Sequence, residues 1–291
     1  MGFSPKSLSA EKHVLIAGPT ASGKSALAME IAGAQDRVIV NADALQVFAD
    51  WRILTARPSQ ADEAALPHAL YGHVPGTTAY SVGHWHRDIA PLLSKPCVIV
   101  GGTGLYFTAL TEGLAEIPAT PDAIRTTAMA RIEAEGAAAL LAELDPKTAA
   151  RIDRQNPMRI QRAWEVLTNT GRGLADWQDD TGPPLLPLSE AEPLLIDAPK
   201  DWLNPRIKRR FEMMLDQGVL EEARRNAPDW SPDQPSAKAI GAAELIAHIN
   251  GQMPLDAARE AVITATRQYA KRQRSWFRAR MKGWTTLDTQ P

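Results

Sequence analysis

Four short runs of apolar residues punctuate a chain whose other hydrophobic positions recur at helical spacing: "VLIAG" at 14–18, "RVIVNAD" at 37–43, "CVIVGG" at 97–102 and "PLLIDA" at 193–198. Each run is rich in Val, Ile or Leu with little polar alternation, and each stops at Gly, Asp or another small residue. Such runs are the mark of parallel strands buried on both faces. The helical stretches between them supply crossovers, so the expected fold is α/β, a parallel sheet core with helices on both faces. Ligands of such sheets bind beyond the carboxyl ends of the strands. Gly18–Ser25, Asn41–Gln46 and Gly101–Gly104 should therefore converge on one crevice.

The interval 118–192 breaks this rhythm, because it has no strand-like run. "TPDAIRTTAMARIEAEG" reads as a helix with Thr120 as N-cap and Pro121 in the first position. "NPMRIQRAWEVLTNTG" repeats the pattern with Asn156, Pro157 and a stop at Gly171. The Pro-rich "DDTGPPLLPLSEAEP" reads as a linker back to the sheet. A helical insertion domain is expected over 118–192, with 1–117 and 193–291 forming the core; one undivided domain is the alternative. After 199 the pattern is helical to the end. From Arg267 to Lys282 the chain carries seven basic residues and no acid. Arg267, Lys271, Arg274 and Arg278 share one helix face, with Tyr269, Trp276 and Phe277 interleaved. That face is either simply solvated or a patch that tracks a nucleic-acid backbone.

Composition narrows the classes. The chain has 291 residues, 44% hydrophobic and 23% charged, with a net charge of −2. These values suit a globular protein and exclude a global basic field. A single cysteine, Cys97, excludes an internal disulfide framework and a cysteine zinc site. No run reaches the roughly 18 apolar residues of a membrane helix, and no membrane partner is expected. The first residues, "MGFSPKSLSAEKH", carry no hydrophobic signal core, and Lys6 stands where a myristoylation pattern needs Ser or Thr. A cytoplasmic location is expected.

The chemistry starts at Gly18, Pro19, Thr20, Ala21, Ser22, Gly23, Lys24 and Ser25, which fit the phosphate-loop pattern G-x-x-x-x-G-K-[ST] between a strand and a helix. Glycines let backbone amides approach an anion, and the helix N-terminus adds positive potential. Lys24 adds a full charge, and the Ser25 hydroxyl suits Mg²⁺. The core is thus P-loop NTPase-like. A kinase or ATPase of this type usually holds its metal with an acid at another strand tip. The third run instead ends in "GGTG", with Thr103, while the acid ends the second run as Asp43. Asp43 is placed to be a base, a metal ligand or a turn residue.

In order along the chain, "GPTASGKS", "NADALQVF", "LTARPS", "GGTGLYF", "NPMRIQRAWEV", "RIKRRFEMML" and "TRQYAKRQRSWFR" resemble the motifs of the tRNA dimethylallyltransferases, or tRNA isopentenyltransferases. The resemblance covers nearly the whole chain. It implies transfer of a dimethylallyl group from dimethylallyl diphosphate to N6 of the adenosine 3′ of the anticodon, position 37, with release of diphosphate. It implies Asp43 as general base, Thr103 and Lys24 at the leaving diphosphate, and Mg²⁺ at Ser25. Arg206 and Arg210 would add phosphate contacts. The adenosine and its anticodon stem-loop would meet Asp43, Ala44, Leu45, Gln46 and Thr103. The same RNA would meet Arg125, Met158, Arg159, Ile160, Gln161 and Arg162 of the insertion, and Lys238, Arg267, Lys271 and Arg274. A monomer is expected; one cysteine provides no counterpart to the zinc finger of eukaryotic members, which points to the bacterial type.

The sequence departs from the family at several places. The usual Asp-Ser-x-Gln-x-Tyr is Asp43-Ala44-Leu45-Gln46-Val47-Phe48, Gly-Thr-Ala-Lys-Pro is Leu54-Thr55-Ala56-Arg57-Pro58, and the aromatic-basic pair after Gly241 is Ala242-Ala243. Three other readings share the loop: a small-molecule kinase, an isopentenyltransferase of free AMP or ATP, and a non-catalytic RNA-binding protein. Asp43 and the glycine turn weigh against the first, the insertion and basic end against the second, and the intact Asp43, Lys24 and Thr103 against the third.

Overall fold

The computed structural model describes residues 5–289; the reading of the first residues as lacking a signal core falls partly outside them, at 1–4. Six strands are described: β1 His13–Ala17, β2 Ile39–Asn41, β3 His68–Ala69, β4 Val98–Gly101, β5 Ala191–Asp197 and β6 Thr285–Asp288. They form one sheet in the order β3-β2-β4-β1-β5-β6, and every pairing is parallel. The fold is the expected P-loop NTPase-like α/β class. β1 and β4 lie at its centre, with Val14 opposite Val98 and Ala17 opposite Gly101.

Two corrections concern strands. The region beyond 199 is not helical throughout, because β6 returns to the sheet edge; β3 was also not expected. Neither carries an apolar run: β3 has two residues, and three of the four residues of β6 are exposed. Their pairing is set by tertiary position, which local patterning does not report.

Both sheet faces are covered. Leu15, Ala17, Val40 and Ile99 pack with Trp85, Phe107, Leu110 and Phe277. Val14, Ile16, Ile39, Val98 and Val100 pack with Ala28, Ile31 and Ala32. Adjacent residues along β1 thus face opposite layers, which explains the lack of polar alternation in its run. The helices are α1 Lys24–Gln35, α2 Gln60–Ala65, α3 Val82–Ile89, α4 Gly104–Glu112, α5 Asp122–Glu135, α6 Ala137–Ala142, α7 Pro146–Arg151, α8 Pro157–Thr170, α9 Leu174–Asp179, α10 Lys200–Asp216, α11 Val219–Asn226, α12 Ala242–Ile249 and α13 Leu255–Arg280. Helices α10 to α13 build their own core around Leu203, Ile207, Phe211, Leu245, Val262 and Ile263.

The chain divides into two compact units, Glu112–Pro184 and the remainder. The smaller unit starts and ends earlier than the 118–192 read from the sequence. The Pro-rich return is the reason: Leu186 is buried in the sheet core and its amide bonds to the Leu110 carbonyl at 3.1 Å, so the chain has rejoined the core by that point. Within the smaller unit, Leu140, Leu144, Ile160, Ala163 and Trp164 form the core. Asn156 caps α8 through the Arg159 amide, Pro157 stands in its first turn and Gly171 ends it in the left-handed conformation, φ 69°. At α5 the boundary shifts by one: Pro121, not Thr120, is the N-cap. The Thr120 hydroxyl instead accepts from Arg162 Nη1 at 2.6 Å, which removes it from capping.

Candidate active site

Parallel strands end at the same edge of the sheet, and the tips of β1, β2 and β4 bring the predicted groups together. The segment after β1 is the phosphate loop. Gly23 takes φ 91° and turns the chain into α1, which starts at Lys24. Ala21 also has positive φ, 63°, a conformation an L-residue adopts at some cost. The loop's inner side holds Lys24, whose Nζ lies 3.4 Å from the Pro19 carbonyl. Burial pushes the Lys24 ammonium down to about 8, against the nearby charge of Asp43 and with that of Arg210. Ser25 is exposed at the start of α1, while the Ser22 side chain is buried under the loop.

Helix α10 supports the loop from outside. Arg210 Nη1 donates to Thr20 Oγ1 at 3.0 Å, and Arg206 Nε donates to the Ala21 carbonyl at 3.1 Å. The Arg206 guanidinium also stacks 4.1 Å from the Trp202 ring centre. Arg206 is thus exposed but occupied, whereas Arg210 lines the cavity beside Lys24 and Asp43. The Thr20 amide, expected among the anion-facing amides, is taken by Gln273 Oε1 at 2.8 Å.

Asp43 stands just past β2, held by its own strand. Asn41 Oδ1 accepts from the Asp43 amide at 2.8 Å, and Asn41 Nδ2 donates to the Asp43 carbonyl at 2.9 Å. The carboxylate Oδ1 accepts from the Leu45 amide at 3.0 Å, so Asp43 is a turn residue as well as a charge in the crevice. The β4 turn comes very close. A Cβ on Gly101 would lie 1.9 Å from the Ala42 carbonyl oxygen, so only glycine fits. Thr103 Oγ1 accepts from the Ala44 amide at 2.9 Å, which leaves the hydroxyl proton free to donate. Because that bond comes from the main chain, Ala44 in place of the family's serine does not remove it.

Between these groups, α10, α13 and the segment just before α12 lies a cavity. Thr20, Lys24, Asp43 and Arg210 contribute polar groups to its wall; Leu45, Leu54, Ile207, Phe211, Val262 and Ile240 contribute apolar ones. Tyr269 also lines it, its phenol pushed up by burial and then by the charge of Asp43, and so neutral. Gln46 Nε2 donates to the carbonyls of Thr55 and Ala56 at 2.8 and 3.0 Å. Those carbonyls belong to a turn held from α11: buried Glu222 accepts from the amides of Arg52, Ile53 and Leu54 at 2.7, 2.8 and 2.9 Å.

The chain matches the model of the IPP transferase family over residues 46–280. It belongs to that family. A tRNA dimethylallyltransferase from Dinoroseobacter shibae is 63% identical over 289 residues and is covered for 96% of each chain. One from Jannaschia sp. is 60% identical, covering 95% of this chain and 96% of its own. A full-length tRNA isopentenylpyrophosphate transferase from Bacillus halodurans has 29% identity and a TM-score of 0.66, over 96% of this chain and 90% of that one. A eukaryotic dimethylallyltransferase acting on tRNA shares the fold, with a TM-score of 0.78 at 23% identity over 96% of this chain and 74% of that one. The family's enzymatic class, prenyl transfer in tRNA modification, is therefore the class of this chain.

The residues expected to face RNA are placed unevenly. In the smaller unit Arg125, Met158 and Arg159 are exposed. Arg162 lies close enough to Arg125 for the two charges to interact, but one of its nitrogens is bonded to Thr120. Ile160 is a correction: it is 2% exposed in that unit's core, so its side chain is not offered to RNA. Gln161 donates to Glu165 at 2.8 Å. In the larger unit Lys238, Arg267 and Lys271 are exposed and Arg274 is half-buried. Leu45 faces the cavity, not the surface. Ala242 is buried and Ala243 exposed in the first turn of α12. Among the described residues, no helix is long and apolar enough to cross a membrane.

Sequence reasoning missed Glu222 and Gln273, and placed Asn41 in the crevice without giving it a role. Gln273 had a signal: it shares a face of α13 with buried Ala270 and Phe277, a polar residue at a core position. Asn41 is likewise polar at the end of a buried run.

Proposed function

We propose that the chain transfers the dimethylallyl group of dimethylallyl diphosphate to N6 of adenosine 37 of tRNA, and releases diphosphate. The observation that carries this reading is the meeting of Lys24, Arg210 and Asp43 with an apolar stretch of wall, Leu45, Leu54, Ile207, Phe211 and Val262, in one cavity. The cations suit the diphosphate, the apolar wall suits the five-carbon chain, and the carboxylate suits the incoming amine. N6 attacks C1 of the allyl group as the C1–O bond breaks, and that electron pair leaves on the diphosphate. Lys24, Arg210 and the N-terminus of α1 stabilise the charge that builds there. Thr103 donates its free proton to a diphosphate oxygen. Asp43 accepts the N6 proton. Gln46, whose nitrogen is engaged by Thr55 and Ala56, presents its oxygen to the adenine amine.

The residues suit a magnesium ion. Mg²⁺ takes few protein ligands and binds through phosphates and waters. The exposed Ser25 hydroxyl beside Lys24 offers one such ligand, and no cluster of three or more His, Cys, Asp and Glu able to hold a metal occurs among the described residues. When bound, the ion would neutralise charge on the leaving diphosphate. The target adenosine must leave its stack to reach Asp43. Arg125, Met158, Arg159 and Arg162 on the insertion, and Lys238, Arg267, Lys271 and Arg274 on the core, are the proposed contacts to the anticodon stem-loop. One chain supplies loop, base and turn, so the acting unit is taken to be a monomer.

The test incubates the protein with unmodified tRNA, Mg²⁺ and labelled dimethylallyl diphosphate, with free AMP in a parallel tube. Label in tRNA is expected; label in AMP alone would instead mark a free-nucleotide enzyme. The Asp43→Ala variant should lose about 10²- to 10⁴-fold in turnover while keeping tRNA affinity. Lost tRNA binding with normal turnover per bound complex would remove Asp43 from the base role.

A further inference from the structure

We propose that Gln273 is a positioning residue that locks the phosphate loop against the β4 turn, and so sets where the leaving diphosphate lies relative to Asp43 and Thr103. The proposal rests on the prenyl-transfer reading of the site. Gln273 is 6% exposed on the inner face of α13. Its Oε1 accepts from the Thr20 amide at 2.8 Å, and its Nε2 donates to the Gly102 carbonyl at 3.0 Å. One partner can only donate and the other can only accept. A neutral amide satisfies both at once, and neither a hydrocarbon nor a carboxylate does. The fit is tight: a Cβ on Gly102 would lie 2.3 Å from Gln273 Nε2 and 3.1 Å from Asp43 Oδ2. Gln273 and the base thus crowd one glycine of the turn, and the residue that fills the gap comes from the last helix.

The sheet joins β1 to β4 only as far as Ala17 and Gly101. Beyond that register the phosphate loop and the Gly102–Thr103 turn run free of the ladder, and the Gln273 amide bridges them. Lys24 belongs to the first segment and Thr103 to the second. A displacement of about 1 Å between reacting groups costs on the order of a hundredfold in rate. The cost appears in turnover and not in RNA affinity, because Gln273 itself faces inward.

Two variants test this. Gln273→Leu keeps much of the volume and removes the hydrogen bonds to loop and turn, along with that to Tyr269. Gln273→Glu keeps an oxygen for Thr20 but, ionised, sets a carboxylate against the Gly102 carbonyl. Protonated, that carboxyl donates and accepts as the amide does. The groups around it are Asp43 beyond β2, Lys24 and Thr20-bound Arg210 at the loop, and Tyr269 on its own helix, whose phenol oxygen also bonds the Gln273 side chain. Gln273→Leu should lower kcat by about 10- to 100-fold, with KM for tRNA within about twofold of the parent. Gln273→Glu should be equally slow at about pH 8.5, and its kcat relative to the parent should climb about fivefold or more by about pH 6, as the buried acid takes up its proton. A packing role would give a ratio that does not change with pH. Parent-like kcat in both variants, or a flat ratio for Gln273→Glu, overturns the proposal. If Gln273→Leu does not fold, the Gln273→Glu ratio decides. A parent enzyme that attaches no label to tRNA sinks the function itself, and this proposal with it.

Discussion

At the scale of single residues, the site depends on one lysine whose charge is held at a cost. Burial lowers the Lys24 ammonium to about 8, and Arg210 adds to the lowering while Asp43 opposes it. The free site carries the cation below about pH 8 and loses it as pH rises through that value. Diphosphate binding favours the charged form, so affinity is full at lower pH and weakens above. KM for dimethylallyl diphosphate should therefore rise between about pH 8 and 9.5, by up to about tenfold per unit for one linked proton. Arg stays charged throughout this range, so Lys24→Arg should abolish the rise even if it alters the baseline. A flat KM up to about pH 9.5 in the parent would mean that Lys24 does not carry the diphosphate charge. The same residue-level reading makes Thr103 a donor, because its oxygen is already engaged by the Ala44 amide. It also removes the Thr20 amide from the anion-binding set.

At the scale of elements, the cavity wall is held by a clamp that lies far away in the chain. Glu222 of α11 is 3% exposed and accepts three successive backbone amides, from Arg52, Ile53 and Leu54. Leu54 and Thr55 line the cavity, and Thr55 and Ala56 hold Gln46. Glu222→Ala leaves those amides without an acceptor in a buried place. Each such loss costs about 1–3 kcal/mol, and partial refilling by water brings the expected total to about 3 kcal/mol. Thermal unfolding should show it as a drop of several degrees, and Glu222→Gln, which keeps one acceptor oxygen, should fall between. A melting point unchanged in both would show that the turn holds itself. Glu222 also marks the limit of reading a sequence. The phosphate loop, the strand tips with Asp43 and Thr103, and the cap and stop of α8 were legible because each is encoded within a few residues. The partners of Glu222 and Gln273 were not, because they lie 168–170 and 171–253 positions away; for Gln273 only its polar character at a core position showed. Strands β3 and β6 were missed for a related reason: a short or exposed edge strand has no apolar run to betray it.

At the scale of the whole molecule, the sheet and the α10–α13 bundle contain every group proposed to do chemistry, while Glu112–Pro184 forms a unit with its own core. The interval without strand-like runs announced that unit; its limits were harder to read, because the Pro-rich return already packs on the sheet at Leu186. The two ends of the unit meet. A Cβ on Gly113, which has φ 97°, would lie 2.4 Å from the Gly182 carbonyl oxygen. A segment whose ends touch can be removed without stretching the rest, since a short flexible linker spans the gap at little cost in closure entropy. Replacing 114–181 by a few Gly and Ser residues should therefore leave a cooperatively folding core that still binds dimethylallyl diphosphate. If the unit grips the RNA through Arg125, Arg159 and their neighbours, tRNA affinity should fall at least about tenfold, with a shallower dependence on salt because fewer phosphates are neutralised. A truncated protein that folds and binds tRNA as tightly as the parent, with the same salt slope, would assign the grip to the exposed Arg267 and Lys271 of α13 and leave the insertion without a role in binding.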